Sequence, residues 1–296
     1  MNLTTKAYLE LHIAVLLFGF TAILGDLINL PAVSIVWWRV LITSFSIVFL
    51  IKVGTIFREL PRERILQFMG IGVLVGLHWV CFYGAIKLAN ASVALICMAT
   101  TSLFTSLFEP LLLKQKLKWY EVLLGMLIIP GMLLIVNSLE SGMLLGFWVG
   151  LASAFLAALF AILNKKMVTN ARPLTITFLE LGSAWLFLSL VFPIYYFTTP
   201  EEVSLLPPTA WDWVYLILLS LLCTTLAYTL SIRALHYISA FASTLTINLE
   251  PVYGIFLAWI LLQEHKELNS SFYIGVVIIL VSVFSYPYLK KKLEKV

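Results

Sequence analysis

Hydrophobic positions along this chain come in long unbroken blocks, not in the three-four or alternating spacing of a soluble fold. Six runs without a charged residue, 65–86, 88–108, 122–139, 141–164, 213–232 and 268–289, are 22, 21, 18, 24, 20 and 22 residues long. A helix needs about 20 apolar residues to cross a bilayer, so each run predicts one crossing. Four further blocks are as long but carry charge. Residues 7–28 hold Glu10 and Asp26 near their ends, 32–52 hold Arg39, 173–198 hold Glu180 and 238–263 hold Glu250. The pattern predicts an all-α integral membrane protein of ten transmembrane helices. Spanning strands would alternate polar and apolar positions, which these blocks do not.

Composition strengthens that reading. The 296 residues are 61% hydrophobic and 11% charged, with mean hydropathy +1.02. A soluble domain carries about a quarter charged residues and needs them to cover its surface. The net charge of +4 is small and dispersed, which argues against a nucleic-acid partner and leaves the lipid bilayer as the expected surroundings. With the N-terminus placed in the cytoplasm, 16 of the 19 basic residues fall in loops or tails on that side, including Lys52, Arg58, Arg62, Arg64 and the Lys290–Lys292 cluster. Only Lys87 and Lys266 fall outside, and Arg39 lies within a helix. The positive-inside rule therefore predicts both termini cytoplasmic. The first block has an acid at Glu10 and no A-x-A site before Asp26, so it reads as a retained helix, not a signal peptide. Cys81, Cys97 and Cys223 fall inside helices without disulfide or metal spacing and read as buried thiols.

The chain also repeats itself. "YGAIKLANASVAL" (83–95) and "IRALHYISAFAST" (232–244) share the form A-(I/L)-(K/H)-x-x-x-A, which aligns Ala85 with Ala234 and Ala91 with Ala240. The same offset lays "LLLKQKL" (111–117) on "ILLQEHK" (260–266). One residue out of step, "GMLIIPGMLLI" (125–135) matches "GVVIILVSVFS" (275–285), and upstream "IVWWRVL" (35–41) falls on "ITFLELG" (176–182). The expected units are two five-helix repeats, 1–138 and 139–296. A unit with an odd number of crossings ends on the opposite face, so the second copy must run inverted. Inverted repeats are the architecture of secondary transporters, with the substrate site near the midplane.

The chain resembles the drug/metabolite transporter superfamily, specifically the ten-helix carriers built from two EamA domains. The resemblance covers residues 8–288 and rests on "WWRVLI", "GAIKLANASVAL" and "LKQKLKWYEVLLGMLIIPG" in the first half. In the second half it rests on "ALHYISAFASTLTINLEPVYGIFLAWILLQE" and "IGVVIILVSV". The first half departs from the second at one place: Thr101-Ser102 stands where the second half has Glu250-Pro251. The resemblance implies a multi-pass carrier of the cytoplasmic (inner) membrane, often an exporter, for amino acids or similar small metabolites. Relatives that move nucleotide-sugars or sugar phosphates keep other solute classes open, drugs among them.

Glu250-Pro251 is the costliest pair in the sequence. Pro251 cannot donate to the Ile247 carbonyl, so the ninth helix is expected to bend. A carboxylate at mid-helix depth costs about 2.5–3.5 kcal/mol on insertion scales, so it should not face lipid. Two readings stand: Glu250 lines a central cavity, or it hydrogen-bonds a neighbouring helix at the kink. No basic residue falls at its depth in this topology, so it is expected to rest as the neutral acid and to exchange a proton when the cavity opens. Arg39 and Glu180 sit at matching positions of the two repeats with opposite charge. They are read as gate residues or local packing anchors, with Arg39 snorkelling to the nearer interface, and not as partners of each other. The expected substrate-binding wall is His78, Trp79 and Tyr83 on the third helix, Met98 and Thr101 on the fourth, Tyr228 on the eighth, and Asn248 and Glu250 on the ninth. Many rings and few charges suit an apolar or zwitterionic solute, not a polyanion.

Other function classes find little support. His12, His78, His236 and His265 are scattered without H-x-x-x-H or H-E-x-x-H spacing, and no Walker motif occurs, so neither an enzyme, a metal centre nor a cofactor is expected. A channel would want a ring of repeated polar groups, usually from several subunits. One chain holding both halves is compatible with a monomeric carrier of a small-molecule substrate. Reporter fusions should read the N-terminus, the C-terminus and the 114–118 loop as cytoplasmic and the 199–210 loop as external. A cytoplasmic signal from 199–210 would overturn the topology.

Overall fold

The computed structural model of the chain describes residues 2–136, 141–198, 204–263 and 270–293, and its regular elements are helical throughout. In chain order they are α1 (Leu3–Leu27), α2 (Ala32–Val48), α3 (Val53–Glu59), α4 (Arg62–Leu88), α5 (Ala91–Met98), α6 (Thr101–Leu113) and α7 (Trp119–Val136). There follow α8 (Leu144–Met167), α9 (Pro173–Thr198), α10 (Ala210–Ser220), α11 (Ala227–Ala234), α12 (Ala240–Ile247), α13 (Glu250–Leu261) and α14 (Ser270–Leu293). A π-helical turn, Leu221–Leu226, joins α10 to α11.

Among the described residues, seven stretches are long and apolar enough to cross a membrane: Leu3–Leu27, Arg62–Leu88, Ala91–Leu113, Ser141–Asn170, Pro173–Phe197, Ala210–Ala234 and Ala240–Leu261. α2 with α3 makes an eighth if that pair, bent by 87°, is one span. Shorter apolar stretches, Trp119–Gly131 and Tyr273–Ser282, lie in α7 and α14. The chain is a multi-pass, all-helical membrane protein; the expected repeat boundary between 138 and 139 lies outside the described residues. The basic segment after the second block, read as a loop, contains α3. That helix buries only Ile56, while Phe57, Arg58 and Glu59 are exposed.

The long helices meet at close quarters. α4 packs along α8 and α9, α1 along α11 and α13, and α7 along α14. Gly72 sets the α4–α9 approach: a Cβ there would collide with the Glu180 carbonyl and the Ser183 hydroxyl. Ser183 Oγ donates to Met69 O across the same contact.

Two spans are broken in mid-course. α12 ends at Ile247, and α13 begins with Glu250-Pro251, placing the proline in a first turn, where its missing N–H breaks no helical bond. The bend expected from Pro251 takes the form here of an interruption at Asn248 and Leu249. The matching break between α5 and α6, at Ala99 and Thr100, contains no proline and was not foreseen. Side-chain hydroxyls crowd it: Thr100 Oγ1 donates to Cys97 O and Ser102 Oγ to Ala99 O. Such local bonds compete with the helical ladder.

The two breaks touch each other. Asn248 Nδ2 donates to Ala99 O at 3.0 Å and to Ser102 Oγ at 2.8 Å, so the amide at one break satisfies the carbonyl at the other. Ala99 and Asn248 are separated by the 149 residues of the repeat offset. This corrects the expected role of Asn248. It is 2% exposed and engaged in helix-to-helix bonding, and it is not part of a cavity wall.

Replacing Asn248 by Leu removes both crossing bonds and leaves Ala99 O and Ser102 Oγ with their bond to each other, a loss of about 1–3 kcal/mol. We expect a lower unfolding midpoint for the detergent-solubilised protein, with Ser102→Ala, which spares the Ala99 bond, costing about 1 kcal/mol or less. Equal midpoints for Asn248→Leu and the parent protein would show that the crossing bond contributes nothing.

Candidate functional site

A cavity of about 80 Å³ lies beside the crossing of the broken helices, space for several waters or a small solute. Phe18 and Thr21 of α1, Arg39 of α2, and His78, Trp79 and Phe82 of α4 form part of its wall. Met98 of α5, Thr101 of α6, and Phe160 and Asn164 of α8 continue it. Tyr228 and Ser231 of α11, Ser243 and Thr244 of α12 and Glu250 of α13 add further polar lining.

Rings set its shape. Trp79 meets Tyr228 edge-on with centroids 6.0 Å apart, and Phe160 lies 5.3 Å from His78 and 6.5 Å from Tyr228. The His78 ring is fixed from behind. Its Nδ1 lies 2.8 Å from Ser153 Oγ and 3.0 Å from Ser153 O, and Ser153 Oγ also bonds His78 O. The sequence offered no partner for this histidine because Ser153 is 75 residues away.

Arg39 departs most from expectation. It does not snorkel to an interface but is 1% exposed. Nε donates to Thr224 Oγ1 at 2.6 Å, Nη1 to Tyr83 Oη at 2.7 Å and Nη2 to Cys223 O at 3.4 Å. The guanidinium carbon stands 3.9 Å from the centre of the Trp79 ring, a cation–π contact worth about 2 kcal/mol when desolvated. The π turn makes this seat. The Ala227 N–H reaches back to Leu222 O, and Thr224 Oγ1 donates to Leu219 O while it accepts from Arg39. π turns inside helices are frequent at functional sites. Nothing in the run 213–232 signals one.

Glu250 faces the same cavity and is 6% exposed. Among the described residues no hydrogen bond or ion pair holds its carboxyl, so it does not bond a neighbouring helix at the kink. Arg39 acts on it electrostatically across the cavity. The expectation that no basic residue shares its level is therefore corrected. Arg39 lies in the middle of α2, and the helices bring the two charges to one chamber without joining them.

Tyr83 is corrected as well. It is fully buried behind Arg39, its hydroxyl spent on the guanidinium. His78, Trp79, Met98, Thr101, Tyr228 and Glu250 do reach the cavity. Pro251 sits in the first turn of α13, with its neighbour Glu250 directed inward. Glu180 is fully buried one layer behind, bonded to Tyr228 and Asn164, and does not pair with Arg39. Phe160, Asn164, Thr21 and Thr244 were missed because charge and ring content do not single them out within uncharged helices.

One end of the bundle is tied across the chain. Glu109 of α6 accepts from the N–H groups of Ala240 and Phe241 at 3.1 and 2.7 Å, capping α12. Lys165 Nζ donates to Leu235 O at 2.6 Å, and Arg233 pairs with Glu10 at 2.6 Å.

The sequence pattern of the EamA-like transporter family matches twice, at residues 5–137 and 144–286. The uncharacterized transporter YxxF of Bacillus subtilis (strain 168) is 22% identical over 286 residues, covering 93% of this chain and 87% of that protein. A solved crystal structure superposes with a TM-score of 0.69 at 15% identity, over 98% of this chain and 99% of its own, a likeness of fold.

With the three native cysteines replaced, Thr101→Cys and Thr244→Cys should react with a small water-soluble thiol reagent. Asn248→Cys and Ala94→Cys should stay inert. Reaction at Asn248→Cys as fast as at Thr101→Cys would place the cavity elsewhere.

Proposed function

Because the chain belongs to the EamA-like transporter family, we propose that this membrane transporter is a secondary carrier that moves a small zwitterionic solute, an amino acid or close analogue, by alternating access. The observation that carries the reading is the pair of opposite charges in one ring-lined chamber. Arg39 keeps N–H groups beyond its three bonds, and Glu250 has no protein partner. A solute carboxylate at Arg39 and a solute ammonium at Glu250 would neutralise both, with its side chain against Trp79, Phe160 and Tyr228. His78, Met98 and Thr101 belong to the same proposed substrate wall. A polyanion would meet only one cation there.

The proposed architecture is ten crossings in two inverted five-helix repeats, both termini cytoplasmic. It is supported by the double family match, by matching breaks in the fourth and ninth segments, and by the Asn248–Ala99 bond between residues one offset apart. In an alternating-access cycle the broken helices are the natural moving parts. The Glu109 cap on α12 is then the latch of one gate, the cytoplasmic one in this topology. Export across the cytoplasmic membrane is the expected direction.

Proteoliposomes loaded with each common L-amino acid test this directly. Saturable uptake with counterflow is expected for at least one, and non-saturable flux without counterflow would point to a channel. Glu250→Gln removes a charge-assisted bond, worth about 1.5–3 kcal/mol, so apparent affinity should fall about ten- to hundredfold. Arg39→Lys loses the fork that fits Thr224 and Tyr83 and should fall comparably. Unchanged transport in both variants would remove the two charges from the substrate site.

A further inference from the structure

Behind the aromatic wall, Glu180 of α9 is completely buried. Tyr228 Oη donates to its Oε2 at 2.5 Å, and Asn164 Nδ2 donates to the same oxygen and to Tyr228 Oη, each at 3.3 Å. Among the described residues the second carboxyl oxygen, Oε1, has no partner, nor has Asn164 Oδ1, and both atoms are sealed from solvent. Two orphaned acceptors side by side in a cluster nine-tenths or more buried are costly unless something donates to them.

Among the described residues, the helices around Glu180 bring no cation to its carboxyl. α2 contributes Arg39, spent on Thr224 and Tyr83. α4 contributes His78, held by Ser153, and carries Arg62, Glu63, Arg64 and Lys87 only in its end turns. α8 brings Lys165, bonded to Leu235 O, and Lys166, and α11 brings Arg233, paired with Glu10. Among the described residues, Tyr228 and Asn164 are the side chains that hydrogen-bond the Glu180 carboxyl. A bare carboxylate in such surroundings costs several kcal/mol, so the missing positive charge must come from outside the protein. The oxygens at hand are the two of Glu180, Asn164 Oδ1 and Tyr228 Oη. They fall short of the roughly six that a hard metal cation takes, whereas a proton needs one.

We infer that Glu180 is a proton-binding site, exchanging with the cavity through Tyr228 and Asn164, and that it couples solute movement to a proton gradient. Both intermediaries line the chamber, so the path is one side chain long. On release the acid O–H bond breaks, its electron pair stays on the carboxylate and the proton passes to cavity water. Glu180 differs from Glu250 in its surroundings: Glu250 has Arg39 across the chamber, and among the described residues Glu180 has no such counter-charge. The coupling half of the inference rests on the carrier reading; the binding half does not.

Two measurements separate them. Infrared difference spectra of the whole protein in liposomes, recorded without substrate as pH is stepped from acid to alkaline, should show a protonated-carboxyl C=O band that titrates. The band should be lost in Glu180→Gln and kept in Glu250→Gln, and its midpoint should shift in Asn164→Ala, which alters the site from another helix. A band unchanged in Glu180→Gln and Asn164→Ala overturns the site, and a band displaced by sodium at constant pH makes it a sodium site instead. In proteoliposomes, a pH gradient should drive uphill accumulation by the parent protein, while Glu180→Gln keeps counterflow and loses the uphill component. Parent protein that shows the titrating band but no counterflow would defeat the carrier reading and leave the proton site standing. Counterflow without any response to the pH gradient would defeat the coupling.

Discussion

Everything in this structure leans on the crossing of two interrupted helices. A helix that stops inside a membrane frees backbone groups where water is not at hand, and each must find a partner in the protein. Here the partner is the other interruption. Asn248 bonds Ala99 O and Ser102 Oγ, and the two breaks hold each other. The chamber lies beside the contact, lined by Met98 and Thr101 from one interrupted span and by Thr244 and Glu250 from the other. Without the crossing there is neither a satisfied break nor a cavity.

Charge is admitted to that chamber on different terms at three places. Arg39 is solvated by protein: a threonine made available by a π turn, a tyrosine hydroxyl, a backbone carbonyl and the face of Trp79. Glu250 has no such shell and looks across the cavity at the guanidinium. Glu180 lies behind the wall with two neutral donors on one oxygen and none on the other. A cation with three of its five N–H groups bonded, an open carboxyl and a half-bonded carboxyl differ in what they can accept. That difference is why the proposed roles differ: the first two take opposite ends of a solute, and the third takes a proton.

The matched positions of the two halves show how one scaffold can acquire two chemistries. Arg39 and Glu180, aligned with each other by the sequence repeat we expect, are each held by a tyrosine hydroxyl, Tyr83 accepting in one case and Tyr228 donating in the other. The tyrosine serves either sign because a phenol both donates and accepts. Glu250 faces Thr101 in the same correspondence, and there the first half keeps a neutral hydroxyl. A divergence of a few side chains at fixed backbone positions is enough to make the chamber electrically asymmetric.

The sequence by itself determined the class of protein, the approximate place of its helices, the disturbance of the helix next to Pro251 and six of the side chains that meet in the cavity. Those features follow from local quantities: run length, charge per residue and the missing proline N–H. The tertiary structure decided the rest. It put Arg39 in the chamber and not at an interface, hid Tyr83 behind it, and turned Asn248 into a strut. It also broke α5 from α6 without a proline and brought Asn164 to Glu180. Apart from the α5–α6 break, where hydroxyls bond carbonyls three residues back, each of these depends on partners 16 to 185 residues away, Glu180 for Asn164 at the near end and Thr224 for Arg39 at the far one. A polar residue in an apolar helix must find some partner, and composition makes that need visible. Which partner it finds is settled only when the helices pack.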